Sequence, residues 1–197
     1  MTPRNRRLSR DEIHLSIIAT AREIAAAEGW SAVTVRKVAQ RIGYTAPIIY
    51  EHFGSKDEML NQVLRSGYDM LYKEMAKQVE RANDAEGRVK AVVMAYWCFA
   101  HEAPELYQLM YGMEGARATS EEVRDYAAPM VKFIIEQILH LSPNHTGDKI
   151  GTVLVEVWSI VHGMISLDIS GYAHRFVGEG LIPETLTQDV LTILKRQ

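Results

Sequence analysis

The sequence predicts an all-α protein. Apolar residues recur at i, i+3, i+4 and i+7 in one segment after another. The breaks between segments fall at Gly, Pro, Asn, Asp and Ser, and no segment alternates as a strand would. Twice a serine stands three residues before a glutamate at the head of such a segment, a helix-opening capping box. At 197 residues the chain can bury a full core, as one domain or as two small ones.

The elements follow in order. Residues 1–8 read as a loose basic arm. Ser9-Arg10-Asp11-Glu12 opens the first helix, whose buried face is Ile13, Ile17, Ala21 and Ile24, and Gly29 ends it. Thr34 caps a second helix with a Val35, Val38, Ala39, Ile42 face, and Gly43 stops it. Thr45 is expected to cap a third, with Pro47 in its first turn and Ile49 and Phe53 pointing one way. Ser55-Lys56-Asp57-Glu58 opens a long fourth helix to about residue 82. Five more are expected, at about 84–101, 104–111, 120–141, 148–170 and 183–195. Pro129 is expected to kink the seventh. The domain boundary is placed after residue 56, giving a headpiece of 1–56 and a body of 57–197.

The segment from Val33 to Lys56 is the most specific part of the chain. Two short helices around a three- to four-residue turn make a helix-turn-helix, whose second helix enters the DNA major groove. Charge agrees. Residues 1–56 hold nine Lys/Arg against five Asp/Glu, a net of +4, while the remainder holds thirteen against twenty, a net of −7. A basic head on an acidic body is a local nucleic-acid footprint.

The string Thr34…Arg36-Lys37-Val38-Ala39…Gly43-Tyr44-Thr45-x-Pro47-x-Ile49-Tyr50-x-His52-Phe53…Lys56 resembles the DNA-binding signature of the TetR/AcrR family of bacterial repressors. The resemblance runs from about Ser9 to Leu64, and Tyr50, His52, Phe53 and Lys56 occupy the family's Y-x-H-F…K positions. It implies a helix-turn-helix headpiece on a helical ligand-binding and dimerisation domain. Trp158-x-x-x-His162-Gly163 and Ala103-Pro104-Glu105-Leu106-Tyr107 resemble a C-terminal subclass of the same family.

Thr34, Thr45, Tyr50, His52 and Lys56 suit phosphate contacts, since each offers a hydroxyl, imidazole or ammonium donor. Arg36 either pairs with guanine O6 and N7 or touches phosphate alone. Ala46, Pro47 and Ile48 cannot hydrogen-bond a base edge but can pack on thymine methyl groups, so polar readout is sparse and DNA shape takes a share. Glu51 either accepts from a cytosine amino group or faces away from phosphate. Arg4, Arg6 and Arg7 either enter a minor groove or stay solvated.

The body concentrates large and aromatic side chains. Trp97, Phe99, Tyr107, Met110, Tyr111, Trp158 and His162 are the candidate lining of a site for a small, mostly apolar effector; the other reading of each is core. Helix 148–170 is apolar on more than one face, and helix 183–195 carries a Leu186, Val190, Leu191, Leu194 stripe. Together they are expected to form a homodimer interface, which suits a palindromic operator.

Other classes find little support. Cys98 is the only cysteine, a buried thiol or a sensor, and it excludes a disulfide framework or a cysteine zinc site. No catalytic or nucleotide-binding motif is present, and no metal or cofactor is expected. The N-terminus has no apolar signal-like run, and Val153–Ile169 is short and interrupted by Glu156, His162 and Asp168. The expectation is a cytoplasmic, non-enzymatic, dimeric regulator of transcription, a repressor. Its partners are double-stranded operator DNA and a small-molecule effector that releases it. The alternative is a DNA-binding protein with no effector, architectural or constitutive.

Overall fold

The computed structural model describes residues 9–111, 118–176 and 181–196. Arg4, Arg6, Arg7, Gly178 and Gly180 lie outside the described residues. The helices are α1 (Arg10–Glu28), α2 (Val35–Arg41), α3 (Pro47–Phe53), α4 (Lys56–Val79), α5 (Ala85–Glu102), α6 (Pro104–Met110), α7 (Ser120–Leu141), α8 (Asp148–Ile169) and α9 (Leu181–Leu194), with 3-10 turns at Trp30–Ala32 and Ala173–Arg175. No strand occurs among the described residues.

Local chemistry sets most helix starts. Ser9 and Glu12 form the expected reciprocal capping box, at 3.2 Å and 2.7 Å. The Thr34 hydroxyl accepts from the Lys37 amide at 3.2 Å, and the Ser55 hydroxyl from that of Glu58 at 3.0 Å. The second box is only half made, because the Glu58 carboxylate accepts from Gln62 instead. A reciprocal box at Thr119 and Glu122 opens α7. The expected Thr45 cap does not form. Ala46 is already helical at φ −50° and ψ −35°, and α3 starts with bonds from the Ile48 and Ile49 amides to the Thr45 and Ala46 carbonyls. The Thr45 hydroxyl is left out of the helix start. Pro129 lies inside α7.

The described chain divides into two compact units. The first joins Met1–Gly67 to Ala103–Val123; the second joins Tyr68–Glu102 to Arg124–Gln197. The first unit is thus larger than a headpiece ending at residue 56. Its core is Ile17, Ala21, Ile24, Val33, Val38, Ala39, Ile49, Met59 and Val63, all fully buried. Helix α6 belongs to it for physical reasons. The Trp30 indole N–H donates to the Glu105 carbonyl at 2.8 Å, and the Arg22 guanidinium meets the Glu105 carboxylate at 3.2 Å. Gly67 completes the fit, since a Cβ there would come within 2.8 Å of Met110 Sδ.

In the second unit α8 packs against α5 and α9. Its buried edge is the i, i+4 row Val153, Val157, Val161 and Ile165, followed by Asp168. The Asp168 carboxylate accepts from His101 at 2.6 Å and faces His174 at 3.2 Å. The other His101 nitrogen lies 2.8 Å from the Trp97 carbonyl. On α9, Leu186, Val190, Leu191 and Leu194 are all buried within the unit. The stripe therefore completes the core of one protomer, where the sequence suggested a partner. Glu86 holds the ends together: Lys195 and Lys90 donate to it and pull its carboxyl down to about 2.

At 22 residues and mean hydropathy 1.6, α8 is long and apolar enough to cross a membrane by length and composition. That exceeds what the run Val153–Ile169 suggested. Its most apolar window is only 22% buried, yet its C-terminal end buries Asp168 against two histidines.

Candidate nucleic-acid interface

The interface is built from α2, the turn and α3. Helix α2 buries Val38 and Ala39, half-buries Val35 and Ile42, and leaves Arg36 exposed. Gly43 turns the chain at φ +79°, a conformation that side-chain-bearing residues rarely adopt. The turn is closed by the Gly43 amide on Gln40 O at 3.1 Å and the Tyr44 amide on Ala39 O at 2.9 Å. Ile49 and Phe53 anchor α3 in the core. That anchoring fixes which residues face outward. Thr45, Pro47, Tyr50 and Glu51 are exposed, while Ala46, Ile48, His52 and Lys56 are half-buried. Tyr50 is 54% exposed, so its ring is accessible to a partner outside the unit.

The cations divide by position. Lys37 is held by Glu28, whose carboxyl that contact lowers. Arg36 and Arg41 are exposed. Two further candidates were not legible in the sequence. His14 of α1 stacks on Phe53, with ring centroids 4.3 Å apart and planes 23° apart, and lies 6.1 Å from His52. Arg10 lies one turn earlier on the same helix. Partial burial, then the charges of Arg10 and His14, lower the His52 imidazole below its usual range, while Glu51 acts the other way. All nine sequence-picked DNA residues lie between Thr34 and Lys56 of this one unit.

The seven effector candidates are divided between the two units. Tyr107, Met110 and Tyr111 belong to the first unit, where Tyr107 and Met110 are 1% and 4% exposed and Tyr111 packs 4.9 Å from the Tyr107 ring. Trp97, Phe99, Trp158 and His162 belong to the second. There Phe99 is buried, Trp97 stacks on His101 at 4.6 Å, and Trp158 is 51% exposed. Desolvation holds the half-buried His162 imidazole below its usual range. Two surface grooves of about 490 and 380 Å³ share Glu156 of α8 and Ile193 and Arg196 of the α9 end, and neither is lined by any of the seven. Cys98 is exposed, but desolvation and the nearby Glu102 and Glu74 carboxylates raise its thiol, which disfavours a reactive thiolate.

Comparison with known proteins agrees with this geometry. Residues 17–63 match the model of bacterial regulatory proteins of the tetR family. Residues 89–186 match a tetracyclin repressor-like C-terminal domain. The chain is 30% identical over 108 residues to the HTH-type transcriptional activator FasR of Mycolicibacterium smegmatis, covering 55% of this chain and 49% of that protein. It is 31% identical over 97 residues to the HTH-type transcriptional repressor KstR2 of Rhodococcus jostii, covering 48% and 46%. The chain thus spans about half the length of these curated relatives. A Rhodococcus sp. RHA1 protein of unknown function shares the fold across 98% of this chain and 97% of its own, with a TM-score of 0.79 at 21% identity. FasR, KstR2 and the matched family are regulators of transcription rather than enzymes. With its N-terminal helix-turn-helix and its C-terminal helical region both matched, the chain belongs to the TetR family of bacterial regulatory proteins.

Proposed function

We propose that this protein is a dimeric repressor in the cytoplasm, released from its operator by a small, mostly apolar effector. The observation that carries the DNA half is the outward face of α2 and α3. Arg36, Thr45, Pro47 and Tyr50 stand exposed on a rigidly anchored pair of helices. Thr34, Thr45, Tyr50, His52 and Lys56 hold phosphates; Arg36 reads a guanine; Ala46, Pro47 and Ile48 pack on thymine methyl groups.

Dimerisation and effector binding fall to the second unit. Val155 and Trp158 expose an apolar face of α8, 58% and 51% accessible, that a second copy would cover. The effector surface is the aromatic stretch of α5 and α8, with Trp97, Phe99, Trp158 and His162. An apolar ligand gains roughly 25 cal/mol per Å² of surface buried there, without a charged partner. Helix α4 continues from the first unit into the second, and its displacement would unmatch two headpieces from successive grooves.

Calorimetry tests the switch. A coupling of about 1–3 kcal/mol makes operator DNA weaken effector binding by the same factor as effector weakens DNA binding. Equal effector affinities with and without operator would remove the switch. The second reading is a DNA-binding protein without effector. It gains weight from a 28% identity over 107 residues to a protein named nucleoid occlusion factor SlmA, from Vibrio vulnificus. On that reading no small molecule shifts either titration.

A further inference from the structure

We propose that DNA binding by this protein is proton-linked: His52 of α3, flanked by His14 and Arg10 of α1, takes up a proton when a backbone phosphate docks beside it. The inference rests on the DNA-binding reading above and adds its regulation by pH.

The geometry sets His14 and Arg10 of α1 beside His52 of α3. His14 is fixed by stacking on Phe53 at 4.3 Å, and its ring centre lies 6.1 Å from that of His52. Phe53 is buried, so its stacking holds His14 in place, while both imidazoles remain half-accessible. The charged and titratable groups acting on His52 are Arg10 and His14 from α1 and Glu51 from its own helix. Two of the three carry or acquire positive charge. In the free protein they and partial burial favour the neutral form of His52 more than that of an ordinary histidine. A DNA phosphate reverses that balance. Its negative charge within hydrogen-bonding reach favours the imidazolium, and the imidazolium gives the phosphate a charge-assisted donor.

The sign follows. The DNA complex holds more protons than the separated partners, so affinity falls as pH rises. The fall begins below the ordinary histidine value of 6.5, because His52 starts lowered. For a single proton it is at most about tenfold per pH unit. Removing His14 takes away a like charge and moves the fall to higher pH.

The test is fluorescence anisotropy from about pH 5 to pH 8 at fixed salt, the span in which histidines titrate. The probe is a duplex selected by the wild-type protein from a random-sequence pool at the acid end. Wild type should lose several-fold in affinity across this range. His52→Arg and His52→Asn should each bind with no pH dependence across this range, His52→Asn more weakly than wild type at the acid end. His14→Gln should shift the wild-type curve toward higher pH. Circular dichroism at each pH checks that the variants are folded. A wild-type slope that survives unchanged in both His52 variants, or no slope at all, overturns the proton link while leaving DNA binding intact. If no duplex is captured at any pH, the DNA-binding reading itself fails and takes the link with it.

Discussion

Trp30→Ala is expected to destabilise the first unit by about 3–5 kcal/mol, the usual range for truncating a buried tryptophan. Trp30 is 3% exposed and ties α6 to the helix-turn-helix through its 2.8 Å bond to the Glu105 carbonyl. The milder Trp30→Phe keeps much of the ring but loses that hydrogen bond. It should cost less than Trp30→Ala, with about 0.5–1.5 kcal/mol from the lost bond. Denaturant titration followed by far-ultraviolet dichroism reads both. Operator affinity should fall with the fraction folded. A loss under about 1 kcal/mol for Trp30→Ala would mean that α6 is not integral to this unit.

The second large effect concerns assembly. Val155→Glu combined with Trp158→Glu places two carboxylates on the exposed face of α8. Light scattering should then report monomers. Operator affinity should fall by about 10²–10⁴-fold, the gain that linking two half-site contacts gives. Val155 and Trp158 are 58% and 51% exposed, so far-ultraviolet dichroism should still report a folded chain. Leu191→Arg, which the α9 stripe alone would have suggested, is the wrong probe. Leu191 is 1% exposed inside the protomer, so a charge there would unfold the chain before it tested the interface. A double variant that stays dimeric would place the interface elsewhere.

What the sequence made legible was what neighbouring residues decide. The Ser9 and Thr34 caps, the Gly43 stop and the Ile17, Ala21, Ile24 face depend on spacings of three to seven residues, and all are present. The Thr45 cap fails for an equally local reason that spacing does not carry, since Ala46 enters the helix one residue early. What stayed hidden depends on contacts far apart along the chain. Trp30 and Glu105 are 75 positions apart, and nothing in the Ala103-Pro104-Glu105-Leu106-Tyr107 string says that it packs on α1. For that reason Tyr107 and Met110, sound candidates for a pocket wall by type, lie in the core of the first unit. The apolar stripe of α9 was visible, but a stripe does not say whether its own protomer or a partner covers it. The outward face of α2 and α3 was the most legible feature, because one short segment both folds it and presents it. The neighbouring His14 and Arg10 of α1 were not.

The claim that matters most is that α2 and α3 read DNA sequence. Affinity for the selected duplex and for every single-base variant of it tests this directly, with Tyr50→Phe and Arg36→Ala beside wild type. Tyr50→Phe removes one hydroxyl from a side chain 54% exposed, so folding should be untouched. It should weaken binding to all variants alike and leave the salt slope unchanged, because a neutral hydroxyl releases no counterion. Arg36→Ala should lose about 1–3 kcal/mol at one guanine and no longer distinguish that base. If both variants bind every duplex as wild type does, the exposed face of α2 and α3 is not the reading surface.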